Sequence, residues 1–394
     1  MYDVLILGAG PAGLAAGIAA AARKQAVCVL ERNKTAGKKL LLSGSGQCNL
    51  THSGNVDDFL KHYGGEQKAR FVKPALFAFD NTATVQWFTR HGVPLLERDD
   101  GKVFPKSLNS DDVLNAMLRE LKNIGGVLKT ETRVNSVTKS GDGFIVQTNC
   151  GEVLTKKLVI ATGGSSFPAT GADGSGFKFA EALGHKIVTP KPALTPLYTE
   201  EDSFVNCAGI AFRQREISVF RNGKKTATGK GDVLLTHHGL SGPGILDLSR
   251  FVEQGNTLRI EIGQPTEIRT LLNGKKTLKN SLQPLGVPEQ FLVCLLKTLN
   301  IPPDKPASEI LRTERKLLED ALSGLPFTVK KPGGWNEAMA TAGGVSLDEV
   351  ERQTMRSRLV PNLFFCGEVL DIDGDTGGYN IQFALSSGFK SGEV

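Results

Sequence analysis

The sequence predicts an α/β protein in which a Rossmann-like sheet-and-helix domain is built from both chain ends, with an insertion between them that is strand-rich and then helical. Three observations predict it. Residues 1–31 run strand, glycine turn, helix, strand, acid. Near Pro190 the composition shifts to alternating strands, and beyond Pro265 to helical periodicity. Residues 359–389 then hold a short apolar strand, an acid and a helix, which make sense as the closing piece of the first sheet.

The opening unit carries the strongest signal. Tyr2 to Leu7 is an apolar run of strand length, and Gly8-Ala9-Gly10-Pro11-Ala12-Gly13 follows. An alanine-rich helix extends to about Lys24, and a strand from Ala26 to Leu30 ends at Glu31. This is the order of a dinucleotide-binding βαβ unit. Gly8 permits the tight turn, Gly10 lets backbone approach a pyrophosphate, and Gly13 lets helix and sheet pack closely. The helix N-terminus offers unpaired N–H groups to phosphates. Glu31 can accept both hydroxyls of an adenosine ribose and would repel a 2′-phosphate. The alternative is a glycine turn in an ordinary α/β domain.

Next comes Gly37-Lys38-Lys39, a short apolar run, then Ser43-Gly44-Ser45-Gly46-Gln47-Cys48-Asn49. Small residues at this density can wrap a phosphate-bearing ligand through N–H groups and hydroxyls; a solvated surface loop is the alternative. Residues 55 to 95 are patterned mostly as helix. Ser110 or Asp111 caps an amphipathic helix with Val113, Leu114, Met117, Leu118 and Leu121 on one face. Residues 127 to 161 read as a small antiparallel meander that ends in Ala161-Thr162-Gly163-Gly164. An apolar strand running into Thr162 and Gly163 returns backbone to the carboxyl edge of the sheet, where open α/β folds bind ligands. A helix follows from about Ser175 to Leu183.

The expected organisation is residues 1–190 and 343–394 as one domain, 191–264 as a strand-rich insertion, 265–330 as a helical subdomain, and 331–342 as the return. The insertion holds the only histidine pair, His237-His238, beside Gly-Leu-Ser-Gly-Pro. Two adjacent histidines without nearby Cys or carboxylate ligands make a poor metal site. Asp371, Asp373 and Asp375 alternate, but the full calcium-loop spacing with its final Glu is missing, so no metal is expected.

The chain has 394 residues and 45 glycines, with a net charge of +6 from 47 basic and 41 acidic residues in no long run. That suits an anionic cofactor and argues against a nucleic-acid partner, which usually needs a clustered basic stripe. The six cysteines lie far apart with no CxxC, which points to reduced thiols and a cytoplasmic protein. The first apolar segment is only strand-length, so neither a signal peptide nor a membrane span is expected.

Four pieces therefore converge on one elongated ligand: the glycine turn, the 37–49 loop, Thr162-Gly163, and residues 367–382. FAD is longer than a nicotinamide dinucleotide and is held at both ends. Glu368 can accept from its ribityl hydroxyls, and a helix starting near Gly378 can aim N–H groups at the flavin O2 and N1. No second GxGxxG follows a strand between residues 150 and 300, so no separate NAD(P)H domain is expected.

On these residues the chain resembles the bacterial FAD-binding flavoproteins of the BaiN/YhiN, or "aminoacetone oxidase", family. The matching stretches are GAGPAGLAAG (8–17), GKKLLLSGSGQCNLTH (37–52), ATGGSSFPATGADGSG (161–176), THHGLSGPGIL (236–246), TAGGV (341–345) and LVPNLFFCGEVLDIDGDTGGYNIQFALSSG (359–388). The resemblance implies a two-part FAD domain with an inserted barrel-like domain and a small helical one. It implies an oxidoreductase, and it settles no substrate. Its cofactor residues would be Gly8, Gly10, Pro11, Ala12, Gly13, Glu31, Arg32, Lys38, Ser43, Asn49, Val134, Thr162, Gly163, Gly367, Glu368, Asp371, Gly378, Tyr379, Asn380, Ile381 and Gln382. The family's usual Arg is Gln47 here.

The expected function is hydride transfer between a small organic substrate and the flavin N5, with NAD(P)H as a transient donor. His238 and Tyr379 are the catalytic candidates, in a cleft between the FAD domain and the insertion. For His238 a structural turn is the competing role. Cys48 is a further candidate to face the flavin. The rival functions are a flavin-binding regulatory or RNA-modification-associated module without turnover, and an NAD-dependent dehydrogenase. The oligomeric state is left open.

Overall fold

The computed structural model describes residues 1–394. The chain forms two compact units, Met1–Pro192 with Met339–Val394, and Ala193–Ala338.

The first unit is organised on a seven-stranded sheet. Tyr2–Leu7 pairs in parallel with Val27–Leu30 on one side and with Gly151–Ile160 on the other. The last of these strands is shared. Its first half pairs antiparallel with Gly143–Thr148, and its last three residues pair in parallel with Leu363–Phe365 from the far end of the chain. The terminal return is thus a strand of the first sheet. Val4 and Ile6 face one core, Leu5 and Leu7 the other, and all four are buried. That is the period-two pattern of a strand covered on both faces.

Helix Pro11–Ala22 is rich in alanine and glycine because the last helix, Tyr379–Ser391, approaches it closely. A Cβ on Gly388 would stand 2.3 Å from Ala12 O, and one on Gly392 2.3 Å from Ala16 O. Two small residues four apart on one helix meet two small residues four apart on the other.

Two expectations need correction here. Val127–Lys129 is no part of the meander: it pairs in parallel with Val27–Leu30 at the sheet edge. Only Val134–Ser140, Gly143–Thr148 and Gly151–Ile160 form the antiparallel run. The helix Ser110–Asn123 is capped one residue earlier than expected, by the Asn109 side chain accepting from Asp111 N.

The second unit is a closed six-stranded barrel in the order Leu197–Thr199, Gly239–Ser241, Lys224–Thr236, Ala211–Arg221, Thr257–Ile260, Leu325–Pro332. The last strand lies mostly in the stretch expected to be helical, and it closes the barrel against Leu197–Thr199. The helices Pro265–Leu271, Glu289–Thr298 and Arg312–Ser323 share the barrel's core through Ile268, Phe291, Leu295 and Leu318. They form no separate core. No helix of the chain is long and apolar enough to cross a membrane.

Candidate cofactor site

The sheet's carboxyl edge gathers three of the four sequence pieces by backbone contact, and the 37–49 loop joins them through the Lys39 and Asn49 side chains. Gly8, at φ +103°, leaves no room for a side chain: a Cβ there would stand 2.5 Å from Ala161 O. A Cβ on Gly13 would meet Gly8 O at 1.9 Å, so this glycine sets the helix against the turn. Gly10 differs, because nothing lies within 4 Å of its Cβ position and its helix has no side-chain cap. Pro11 occupies the first helical turn, where its missing N–H costs nothing. The return comes up against the same place, since a Cβ on Gly367 would meet Ala12 Cβ at 2.7 Å.

Glu31 is 7% exposed, and its carboxylate accepts from Ala9 N (3.2 Å), Asn33 N (2.8 Å) and Asn33 Nδ2 (2.8 Å). Arg32 pairs with Asp173 at 2.5 Å and donates to Gly171 O, tying the 168–174 loop to the acid. Lys38 Nζ donates to Asn33 Oδ1 at 3.3 Å, and Ser43 Oγ to Leu40 O at 2.6 Å. Val134 begins its strand half-buried. The Thr162 hydroxyl is buried with no hydrogen-bond partner, beside Gly163 at φ +76°.

At the other end, Glu368 is held by Lys39 Nζ (2.5 Å) and Ser166 Oγ (2.7 Å). Asp371 accepts from Gly343 N (3.0 Å) and pairs with Lys68 (2.9 Å), which also binds Asp373 at 2.6 Å. Burial opposes the Lys68 charge, yet the two carboxylates outweigh it and hold the ammonium pKa up. Asn380 clamps the turn before the last helix, accepting from Gly374 N (2.8 Å) and donating to Gly374 O (2.9 Å). Asn49, oriented to satisfy both neighbours, donates to Thr51 O (3.0 Å) and accepts from Gly378 N (3.2 Å). Ile381 packs partly buried against the sheet core. Gln382 is fully buried, with both amide ends engaged by protein partners.

The Tyr379 ring is buried and nearly parallel to the His62 ring at 4.1 Å and the His52 ring at 5.4 Å. His238 lies in the second unit, in the exposed two-residue turn between Thr236 and Gly239 of the barrel. Its carbonyl accepts from Thr199 N at 3.1 Å. Cys48 is buried, and burial pushes its thiol up to about 12, so it offers no thiolate at neutral pH. Three polar pairings are not legible in the sequence: Lys39 with Glu368, His62 with Asp375, and Arg98, which donates to Gln47 Oε1 at 2.6 Å. Arg98 brings a guanidinium to the position where the chain departs from the family spelling. Nothing in sequence spacing links these pairs.

The residues fit FAD. An uncapped helix N-terminus behind an open Gly10 suits a diphosphate, and the orphaned Thr162 hydroxyl waits for a partner. Glu31 lies buried at the end of its strand, where a ribose would be recognised.

Comparison with known proteins agrees. The family model described as "HI0933-like protein Rossmann domain" matches residues 2–394. A ribosomal RNA dihydrouridine synthase from Escherichia coli K12 is 30% identical, covering 98% of this chain and 96% of its own length. A 3-dehydro-bile acid delta(4,6)-reductase from Clostridium scindens is 28% identical over 100% and 99%. Among solved structures, 3-ketosteroid delta1-dehydrogenase from Sterolibacterium denitrificans shares the fold at TM-score 0.54 and 11% identity, covering 100% of this chain and 98% of that one. The 3-ketosteroid-delta4-(5alpha)-dehydrogenase from Rhodococcus jostii RHA1 does so at TM-score 0.52 and 15% identity, covering 99% and 96%. With the family model spanning nearly every residue, the chain belongs to the HI0933-like Rossmann family of FAD-dependent oxidoreductases.

Proposed function

We propose that this enzyme reduces a carbon–carbon double bond conjugated to a carbonyl. One observation carries the reading. Two relatives that match over almost the full chain have different substrates in their names, yet the bond those names describe is the same kind. The double bond of a uracil ring that dihydrouridine lacks is conjugated to a carbonyl, and so are the double bonds of a 3-oxo-4,6-diene.

Reduced FAD supplies the hydride for such a reaction. The chain's own groups hold and orient it: the turn Gly8–Gly13 and the helix after it for the diphosphate, Glu31 for the ribose, and Thr162 nearby. Lys39, Ser166 and Glu368 form a polar network on the flavin side. The N-terminus of the Tyr379–Ser391 helix offers N–H groups to charge that develops on reduction. A small organic enone is the substrate class we favour. A uridine in RNA is the second reading, favoured by the dihydrouridine synthase relatives. NAD(P)H serves as a transient reductant, and the cytoplasm, where thiols stay reduced, suits six free cysteines.

The test is anaerobic. The holoprotein is photoreduced, then mixed with a 3-oxo-4,6-diene bile acid or with an unmodified ribosomal RNA fragment, while flavin absorbance is followed. Reoxidation by the steroid, with two hydrogens gained in the product's mass, supports the small-molecule reading. Reoxidation by RNA alone supports the second. Reoxidation by neither would leave a flavin-binding module without this turnover.

A further inference from the structure

Beside the cofactor residues stands a cluster of titratable side chains to which hydride transfer assigns no work: His52, His62 and Asp375 around Tyr379. His62 is latched to Asp375 twice. Its Nδ1 lies 2.9 Å from Asp375 Oδ2, and its carbonyl accepts from Asp375 N at 2.9 Å. The ring lies flat against Tyr379, at 4.1 Å and 15°. Rotation is therefore fixed, Nδ1–H faces the carboxylate, and Nε2 is left as the nitrogen with a mobile proton. The His62 side chain is 38% exposed, so a proton can be replenished from water. The turn that carries Asp375 also carries Gly378, whose N–H reaches Asn49 and where an added Cβ would meet the Thr51 backbone at 2.7 Å. His62 is thus one ring away from the helix N-terminus assigned to the flavin.

We propose that His62 is the proton carrier of the flavin site and that Asp375 is its positioning residue. This rests on the conjugated-bond reading. Reducing such a bond adds a hydride to one carbon and a proton to the carbon next to the carbonyl. The hydride comes from reduced FAD, which a reduced nicotinamide nucleotide recharges. The proton comes from His62: its Nε2–H bond breaks, a C–H bond forms with the electron pair released from the double bond, and the neutral imidazole takes a new proton from water. The Asp375 carboxylate holds the ring through Nδ1–H while the Nε2 proton is given up and regained.

The other groups around His62 are less suited. The Tyr63 phenol is buried and donates to Tyr379 O, and burial first of all holds its pKa well above 10. Tyr379 is buried. His52 turns its Nδ1 to Ser53 O, a neutral carbonyl, at 2.8 Å. Lys68 is engaged by Asp371 and Asp373, and Lys61 by Asp58.

The test needs no substrate. The midpoint potential of the bound FAD is measured across the pH range where an imidazole titrates, around 6.5. A two-electron couple moves by about 30 mV per pH unit for each proton taken up. Wild type should show a range with about 30 mV per unit of extra slope, one proton more than in His62→Gln. In Asp375→Asn the ring loses the carboxylate that fixes it through Nδ1–H, so the extra slope should shrink toward that of His62→Gln. His62→Gln with FAD bound and the wild-type slope overturns the carrier role. A wild-type slope in Asp375→Asn overturns the positioning role. A protein that holds no FAD removes the reading beneath both.

Discussion

Lys39 Nζ stands 2.5 Å from a carboxylate oxygen of Glu368, two residues 329 positions apart, and the other oxygen accepts from Ser166 at 2.7 Å. This contact joins the N-terminal loop, the strand Gly151–Ile160 through its following turn, and the C-terminal return. The side chains are 26% and 21% exposed, so the pair is only partly screened. Glu368→Gln should therefore destabilise even the cofactor-free protein, by about 1.5–3 kcal/mol for a charge-assisted bond. In urea melts of wild type, Lys39→Gln, Glu368→Gln and the double variant, the two losses should be non-additive. Strict additivity would show that the pair carries no coupling.

Gly378→Ala tests how the last helix is seated. Gly378 sits at φ +100°, and an added Cβ would lie 2.7 Å from three backbone atoms of Thr51. Backbone strain and a clash with backbone then act together, and neither can be relieved by a rotamer change. We expect a loss of more than about 2 kcal/mol and weaker FAD retention on gel filtration. A variant with unchanged melting and occupancy would mean that the turn is free to move.

Much of this architecture was legible in the sequence, for reasons that differ between elements. Tyr2–Leu7, the glycine turn and Glu31 form a local pattern whose parts lie within thirty-one residues, so spacing alone identifies them. Tyr379–Ser391 was legible because Gly377-Gly378 precedes a helical pattern. Leu325–Pro332 was not, because its prolines and lysines mask the alternation and its partners lie in distant strands. Val127–Lys129 is too short to declare whether it pairs with the strand after it or with one a hundred residues earlier. The same limit applies to Lys39 with Glu368 and His62 with Asp375, whose meaning lies in a partner about three hundred residues away.

His185 should make the first unit acid-sensitive. Its ring is buried, with Nε2 at 2.8 Å from Ser357 Oγ and Nδ1 at 3.3 Å from Glu349. Burial lowers its pKa below 6.5, and Glu349 offsets this only in part. The unfolded chain then takes up a proton near 6.5 while the folded one does not. The stabilising effect is whole above 6.5 and is lost as pH falls toward the folded pKa. His185→Gln does not titrate there, so its melting temperature should fall less than wild type's below that pH. Parallel acid profiles would assign the sensitivity elsewhere.

Gln382 separates a cofactor ligand from a residue that builds the ligand's seat. Its Oε1 accepts from Thr51 Oγ1 (2.7 Å) and Thr84 Oγ1 (2.9 Å), and its Nε2 donates to Phe79 O (3.0 Å) and Ser386 Oγ (3.0 Å). An amide has two acceptor sites and two donors, and here all four are used. With the side chain fully buried, no capacity remains for a flavin atom. Its work is to tie the last helix to the Thr51–His52 strand, the Asn81–Arg90 helix and the end of the Glu66–Ala78 helix. Gln382→Leu keeps most of the volume and strands two buried hydroxyls, at about 1–3 kcal/mol for each group left unsatisfied. We expect that loss in the apo-protein as well, with a weaker FAD Kd following from the displaced helix terminus. Urea melts of apo wild type and Gln382→Leu decide the matter, read beside FAD titrations of both. Equal apo stability with a weakened FAD Kd would return Gln382 to direct contact with the cofactor.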